Sequence, residues 1–62
     1  MNEFELLRKQ IRTEMNDLAD AMAVGAAEDY AAYRHMVGKI EGLATAERIV
    51  LDLEERLLKA DE

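Results

Sequence analysis

The 62-residue chain contains no proline, and only one short segment interrupts its helical pattern. Alanine, leucine, glutamate, arginine, methionine and lysine, which all favour helices, make up most of the sequence. The interruption lies at residues 24–29, where Gly25 can adopt the left-handed conformation that ends a helix. We therefore predict helix 1 over residues 3–24, a turn at 25–26 and helix 2 over residues 27–60.

A short connection between helices makes them antiparallel neighbours, so the predicted fold is all-α, an antiparallel two-helix hairpin with a longer second helix. At 62 residues the chain forms a single helical-hairpin domain over residues 1–62. Asn2 followed by Glu5 matches a capping box, which predicts that helix 1 begins directly after Asn2.

Apolar residues recur every three or four positions on both predicted helices and define the faces that should pack together. On helix 1 this face is Phe4, Leu7, Ile11, Met15, Leu18 and Met22, and on helix 2 it is Tyr30, Tyr33, Val37, Ile40, Leu43 or Ala44, Glu47 and Val50. Folding the chain at the predicted turn places Phe4 opposite Val50. It also brings Arg8 near Glu47 and Arg12 near Glu41.

In this register helix 2 continues past the end of helix 1, leaving an unmatched end of roughly 15 Å at about 1.5 Å per residue. The leucines of this end have no partner within the predicted hairpin: Leu51, Leu53, Leu57 and Leu58. A core this small usually needs additional support, and the sequence has no cysteine to provide a disulfide. We therefore expect self-association into a helical bundle, which makes the chain a homo-oligomer.

A second stripe on helix 2 points away from the predicted hairpin face. It contains Ala31, His35, Gly38, Gly42, Thr45 or Ala46, Ile49, Leu53 and Arg56. Glycine inside a helix costs about 1 kcal/mol relative to alanine, so Gly38 and Gly42 suggest a place where another backbone approaches closely. The alternatives are that these glycines accommodate bulky residues of helix 1 or mark a local bend. The predicted partner interface combines Ala31, His35, Gly38, Gly42, Ala46 and Ile49 with the four leucines of the unmatched end.

The residues needed for common catalytic sites are missing from the sequence. There is no cysteine, His35 is the only histidine, and the hydroxyls of Thr13 and Thr45 lie within predicted helices. A Ser–His–Asp or Cys–His arrangement therefore cannot form. Carboxylate pairs such as Glu14 with Asp17 match a solvated helix face better than a metal site. We expect no enzymatic activity, no metal and no cofactor.

The balance of charge also limits the partners of the chain. Fourteen acidic residues against eight lysines and arginines give a net charge of −6, which opposes nonspecific binding to nucleic acid or to anionic membranes. The first residues lack the basic start and apolar run of a signal peptide, and no apolar stretch reaches the length of a membrane span. We expect an intracellular protein with no membrane and no direct nucleic-acid partner.

Several segments resemble small helical-hairpin proteins encoded by tailed bacteriophages. The similar segments are the opening FELLRKQI, the acidic-Tyr-x-x-Tyr step at Asp29–Tyr33, the Gly-x-Ile-x-Gly-Leu-x-x-Ala core at Gly38–Ala46 and the closing LDLEERLL. The resemblance implies a non-enzymatic structural or adaptor protein of the host cytoplasm, or one incorporated in a virion, that assembles on itself or on a larger virion or host protein. The alternative is an acidic regulator that inhibits a nucleic-acid-handling protein.

Overall fold

The computed structural model describes residues 2–60 and contains two helices, α1 over Glu3–Ala23 and α2 over Tyr30–Ala60. The helices run antiparallel and pack against each other along one side. The molecule is a rod with principal extents of 50 × 19 × 11 Å. The predicted all-α fold of two packed helices is therefore confirmed. Of the predicted domain, positions 1, 61 and 62 lie outside the described residues.

The start of α1 is determined by the side chain of Asn2. Its Oδ1 atom accepts a hydrogen bond of 2.7 Å from the backbone N–H of Glu5. This bond satisfies one of the N–H groups that the first turn of a helix leaves without an intrahelical partner. The two acidic residues of this turn, Glu3 and Glu5, also favour the positive end of the helix dipole.

The end of α1 depends on Gly25, whose φ of 81° lies in the left-handed region predicted from the sequence. The Gly25 N–H donates to the Met22 carbonyl at 3.1 Å, and the Ala26 N–H donates to the Ala21 carbonyl at 3.0 Å. These two bonds form a Schellman motif, which satisfies carbonyls of the last helical turn. A residue with a Cβ atom is disfavoured at such a φ, so glycine is the residue that this turn requires.

Helix α2 begins at Tyr30, three residues later than the sequence predicts. The reason is Asp29, whose Oδ1 accepts a hydrogen bond of 2.8 Å from the Ala32 N–H and whose carbonyl accepts the first helical bond, 3.0 Å from the Tyr33 N–H. Asp29 is therefore the N-cap of α2, a role for which aspartate is strongly preferred. The connection between the helices spans residues 24–29 and is longer than the predicted two-residue turn.

Replacing Asp29 by alanine tests this assignment of the N-cap. We expect Asp29→Ala to lower the free energy of unfolding by about 1 kcal/mol, because the Ala32 N–H loses its acceptor. The matched control is Glu28→Ala, which removes a neighbouring carboxylate without removing an observed capping bond. Chemical denaturation followed by circular dichroism measures both variants, and an equal loss in the two would contradict the capping role of Asp29.

Candidate functional site

The two helices contact each other along a seam of half-buried side chains, which is the closest approach to a core in the molecule. On α1 these residues are Phe4, Arg8, Ile11, Met15, Leu18 and Met22, and on α2 they are Met36, Ile40, Leu43, Glu47, Val50 and Glu54. Both sets step by alternate fours and threes, which is the spacing of a two-stranded coiled coil. The seam is polar toward one end, where Arg8 and Glu54 occupy positions that apolar residues usually fill.

Three residues that the sequence assigned to the inner faces are exposed. Leu7 is 44% exposed, and its expected place is taken by Arg8. Tyr30 and Tyr33 are 75% and 45% exposed and stack on each other, with ring centroids 6.3 Å apart. Met36 is half-buried instead.

Two ion pairs show that the predicted register of the helices is wrong. Arg8 Nη2 lies 3.2 Å from Glu54 Oε2, and Arg12 Nη2 lies 2.6 Å from Glu47 Oε1. The sequence paired Arg8 with Glu47 and Arg12 with Glu41, so each arginine reaches six or seven residues further along α2 than expected. The longer connection at residues 24–29 permits this displacement. A shift by whole helical turns leaves the same face of α2 turned toward α1, which is why the apolar periodicity does not reveal it.

The displaced register also shortens the predicted unmatched end of α2. Because Arg8 reaches Glu54, α1 accompanies α2 at least to that residue, and only residues 55–60 extend beyond it. Six residues correspond to about 9 Å, compared with the predicted 15 Å. Leu57 and Leu58 remain in the unmatched end, whereas Leu51 and Leu53 lie beside α1.

The hairpin leaves an unusually large area in contact with water. None of the residues 2–60 is buried. The accessible surface is 4952 Å², whereas a folded protein of this mass exposes about 4,000 Å². The excess of about 900 Å² is close to the roughly 800 Å² that each partner contributes to a standard protein–protein interface. The elongated two-helix rod therefore exposes more surface than a compact protein of the same mass.

The predicted interface residues lie on two different sides of α2. Gly42 borders the groove that also contains Leu18 and Leu43, and Ala46, Ile49 and Leu53 follow it at helical spacing. Leu51 borders the opposite groove, which is lined by charged residues of α1 and by Glu47. Leu58 follows Leu51 by seven residues and shares its side. One flat partner surface therefore does not contact all ten predicted residues together.

The predicted stripe residues are almost entirely open to water. Ala31, His35, Gly38 and Gly42 are exposed, and Ala46 is half-buried. A Cβ atom built on Gly38 or on Gly42 meets no other atom within 4 Å, apart from its neighbours in the helix. Helix α1 therefore does not need these glycines for its own packing, and that alternative is wrong. A contact with another chain and a local bend both stay predictions.

The charged side of the hairpin contains the cluster of basic residues on α1. Arg8 and Arg12 of this cluster are engaged by the carboxylates of Glu54 and Glu47, while Lys9 borders the same groove.

Within residues 2–60, no three His, Asp or Glu side chains come together in a group that could hold a metal ion. Neither α1 nor α2 has an apolar stretch long enough to cross a membrane.

Comparisons of the chain with protein-family models, with curated proteins and with solved structures found no significant match to any of them.

Double-mutant cycles test the register that the two arginines define. We expect Arg8→Gln and Glu54→Gln to show a coupling energy of about 1 kcal/mol, because their half-buried side chains contact each other. The matched control pairs Arg12→Gln with Glu41→Gln, a contact of the predicted register, for which we expect a coupling near zero. Thermal unfolding at one fixed protein concentration provides all the energies. A larger coupling in the control pair would contradict the observed register.

Proposed function

We propose that this chain is a small non-enzymatic structural or adaptor protein, which works by assembling through helix–helix contacts. The observation that carries this proposal is the absence of any buried residue among residues 2–60, together with the excess exposed area. Hydrophobic burial drives association at about 25 cal/mol per Å² of apolar surface. Covering the exposed leucines and Ile49 by another helix is therefore strongly favourable.

The exposed apolar residues support assembly along the length of the rod rather than at one pocket. Large exposed side chains occur on α1 at Leu6 and Leu7, and on α2 at Ile49, Leu53 and Leu57. Long amphipathic helices that present such side chains pack lengthwise against other helices. A lengthwise contact of this kind suits a component of a larger particle or a connector between two proteins.

The resemblance of several segments to hairpin proteins of tailed bacteriophages supports a phage-encoded accessory or virion protein as the biological setting. The alternative function, an acidic regulator of a nucleic-acid-handling protein, is favoured by one observation. The chain has a net charge of −6, and its Arg8 and Arg12 side chains are already engaged by Glu54 and Glu47. The two roles differ in where the protein is found. A virion component is recovered in purified particles at a fixed copy number, whereas a regulator is recovered from infected cells on its target.

Mass in solution tests whether the chain assembles. At micromolar concentration we expect a mass of at least twice 7.0 kDa by light scattering, and a melting temperature that rises with protein concentration. The matched control is the double variant Ile49→Gln/Leu53→Gln, which keeps two helix-compatible residues but removes apolar surface. We expect its mass to fall toward that of the monomer. A cooperative transition at 7.0 kDa that is independent of concentration would contradict assembly of the chain with itself.

A further inference from the structure

We infer that the stripe on α2 binds the same stripe on a second copy of this chain, with the two α2 helices antiparallel and a two-fold axis passing between Thr45 and Ala46. This inference rests on the proposed function and adds the partner, the contact face and the register. The inference depends on the order of residues along the exposed stripe, in which small residues occupy one half and large aliphatic residues the other.

The first argument is that the stripe combines open small residues with exposed large ones. Ile49 and Leu53 are 61% and 41% exposed. Further toward the start of the same helix, Gly38 and Gly42 have open space where a side chain would be. One half of the stripe therefore projects, and the other half is recessed.

The second argument is the symmetry of this arrangement. Gly38 and Leu53 are equally distant from the midpoint between residues 45 and 46, and so are Gly42 and Ile49. In an antiparallel pair of identical helices, each glycine therefore faces an aliphatic side chain of the second copy. Large residues that face small ones allow two helices to interdigitate at a short interaxial distance. The stripe is thus complementary to itself, as a two-fold interface must be.

The third argument is that the stripe is accessible beside the α1–α2 seam. The seam residues of α2 and the stripe residues lie on different faces of the helix, so a second copy can pack without displacing α1. The excess exposed area of about 900 Å² matches the contribution of one partner to a standard interface. A second copy supplies an equal area with the same apolar composition.

Disulfide trapping tests the contact, because the wild-type chain contains no cysteine. A disulfide requires Cα atoms about 4.4–6.8 Å apart. Position 46 lies beside the proposed two-fold axis, so its two copies come within this distance. We expect Ala46→Cys to form a covalent dimer under mild oxidation. Leu53→Cys should not crosslink, because antiparallel packing separates the two copies of this position by about 15 residues, or roughly 22 Å. Leu51→Cys, on the opposite side of α2, should also stay uncrosslinked.

A second measurement keeps the test valid if a cysteine variant unfolds. Gly42→Leu raises helix propensity by up to about 1 kcal/mol but places a bulky side chain where the second copy's Ile49 packs. We expect more helix per chain at low concentration together with at least a tenfold weaker dimer in sedimentation. Ala44→Leu adds the same side chain at an exposed position outside the stripe and should leave the dimer affinity within about threefold of wild type.

The outcomes separate this inference from the proposed function. Crosslinking at position 53 as well as 46 would show a parallel pair, because the two positions lie seven residues apart on one face of α2. Crosslinking at position 51 alone would show a different face. Either result overturns the inference and leaves assembly intact. An unchanged dimer in Gly42→Leu would also overturn it. A folded monomer at all concentrations would overturn both self-association and the proposed contact, leaving a different protein as the partner of α2.

Discussion

Two helices can shield only one narrow strip of each other from water, and this limit governs the rest of the structure. The seam between α1 and α2 leaves every one of residues 2–60 at least partly accessible to solvent. Hydrophobic stabilisation scales with buried apolar area. The contact between the two helices therefore contributes less to the free energy of unfolding than the core of a globular protein of the same chain length would. The helices are consequently secured at their ends by local devices, namely the Asn2 and Asp29 caps and the left-handed turn at Gly25.

The seam itself contains a polar layer, in which Arg8 contacts Glu54 across the two helices. Arg8 and Glu54 are largely shielded by their neighbours, with side chains 30% and 17% exposed. The Arg8 Nε atom has no hydrogen-bond partner among the described residues, so the pair is not fully satisfied. Such a pair contributes modestly to stability, because desolvation offsets much of its attraction. A register that left the Arg8 charge among apolar side chains without a carboxylate would cost more, because the charge would be buried unpaired.

The two sides of the seam differ in chemistry, so one long side of the rod is charged and the other is largely apolar. One side carries the arginine–glutamate pairs, while the other exposes Leu6 and Leu7 of α1. Charged side chains keep the first side hydrated, whereas water around the aliphatic side chains favours association. The proposed assembly through helix–helix contacts and the inferred contact between α2 helices both use the less charged side.

Much of the fold was predictable because it depends on local signals. The lack of proline, the spacing of Phe4, Ile11, Met15 and Leu18, and the single glycine between the two helical patterns are enough to predict two helices that pack together. Asp29 was also a signal, because aspartate before a helical run commonly occupies the N-cap, but the predicted helix 2 already began at residue 27. Arg8 also fits the spacing of three and four that defines the α1 face, but the apolar Leu7 was predicted there instead.

The amino-acid sequence by itself determined which residues form helices, where Gly25 ends the first of them, and which general faces are apolar. Only the tertiary structure decided the register, the length of the unmatched end of α2 and the division of the predicted interface between two sides. The reason is physical: helical periodicity repeats with each turn, so a shift of α2 by whole turns preserves its apolar face. The choice among these registers depends on the connecting segment and on the Arg8–Glu54 contact, which joins residues 46 positions apart.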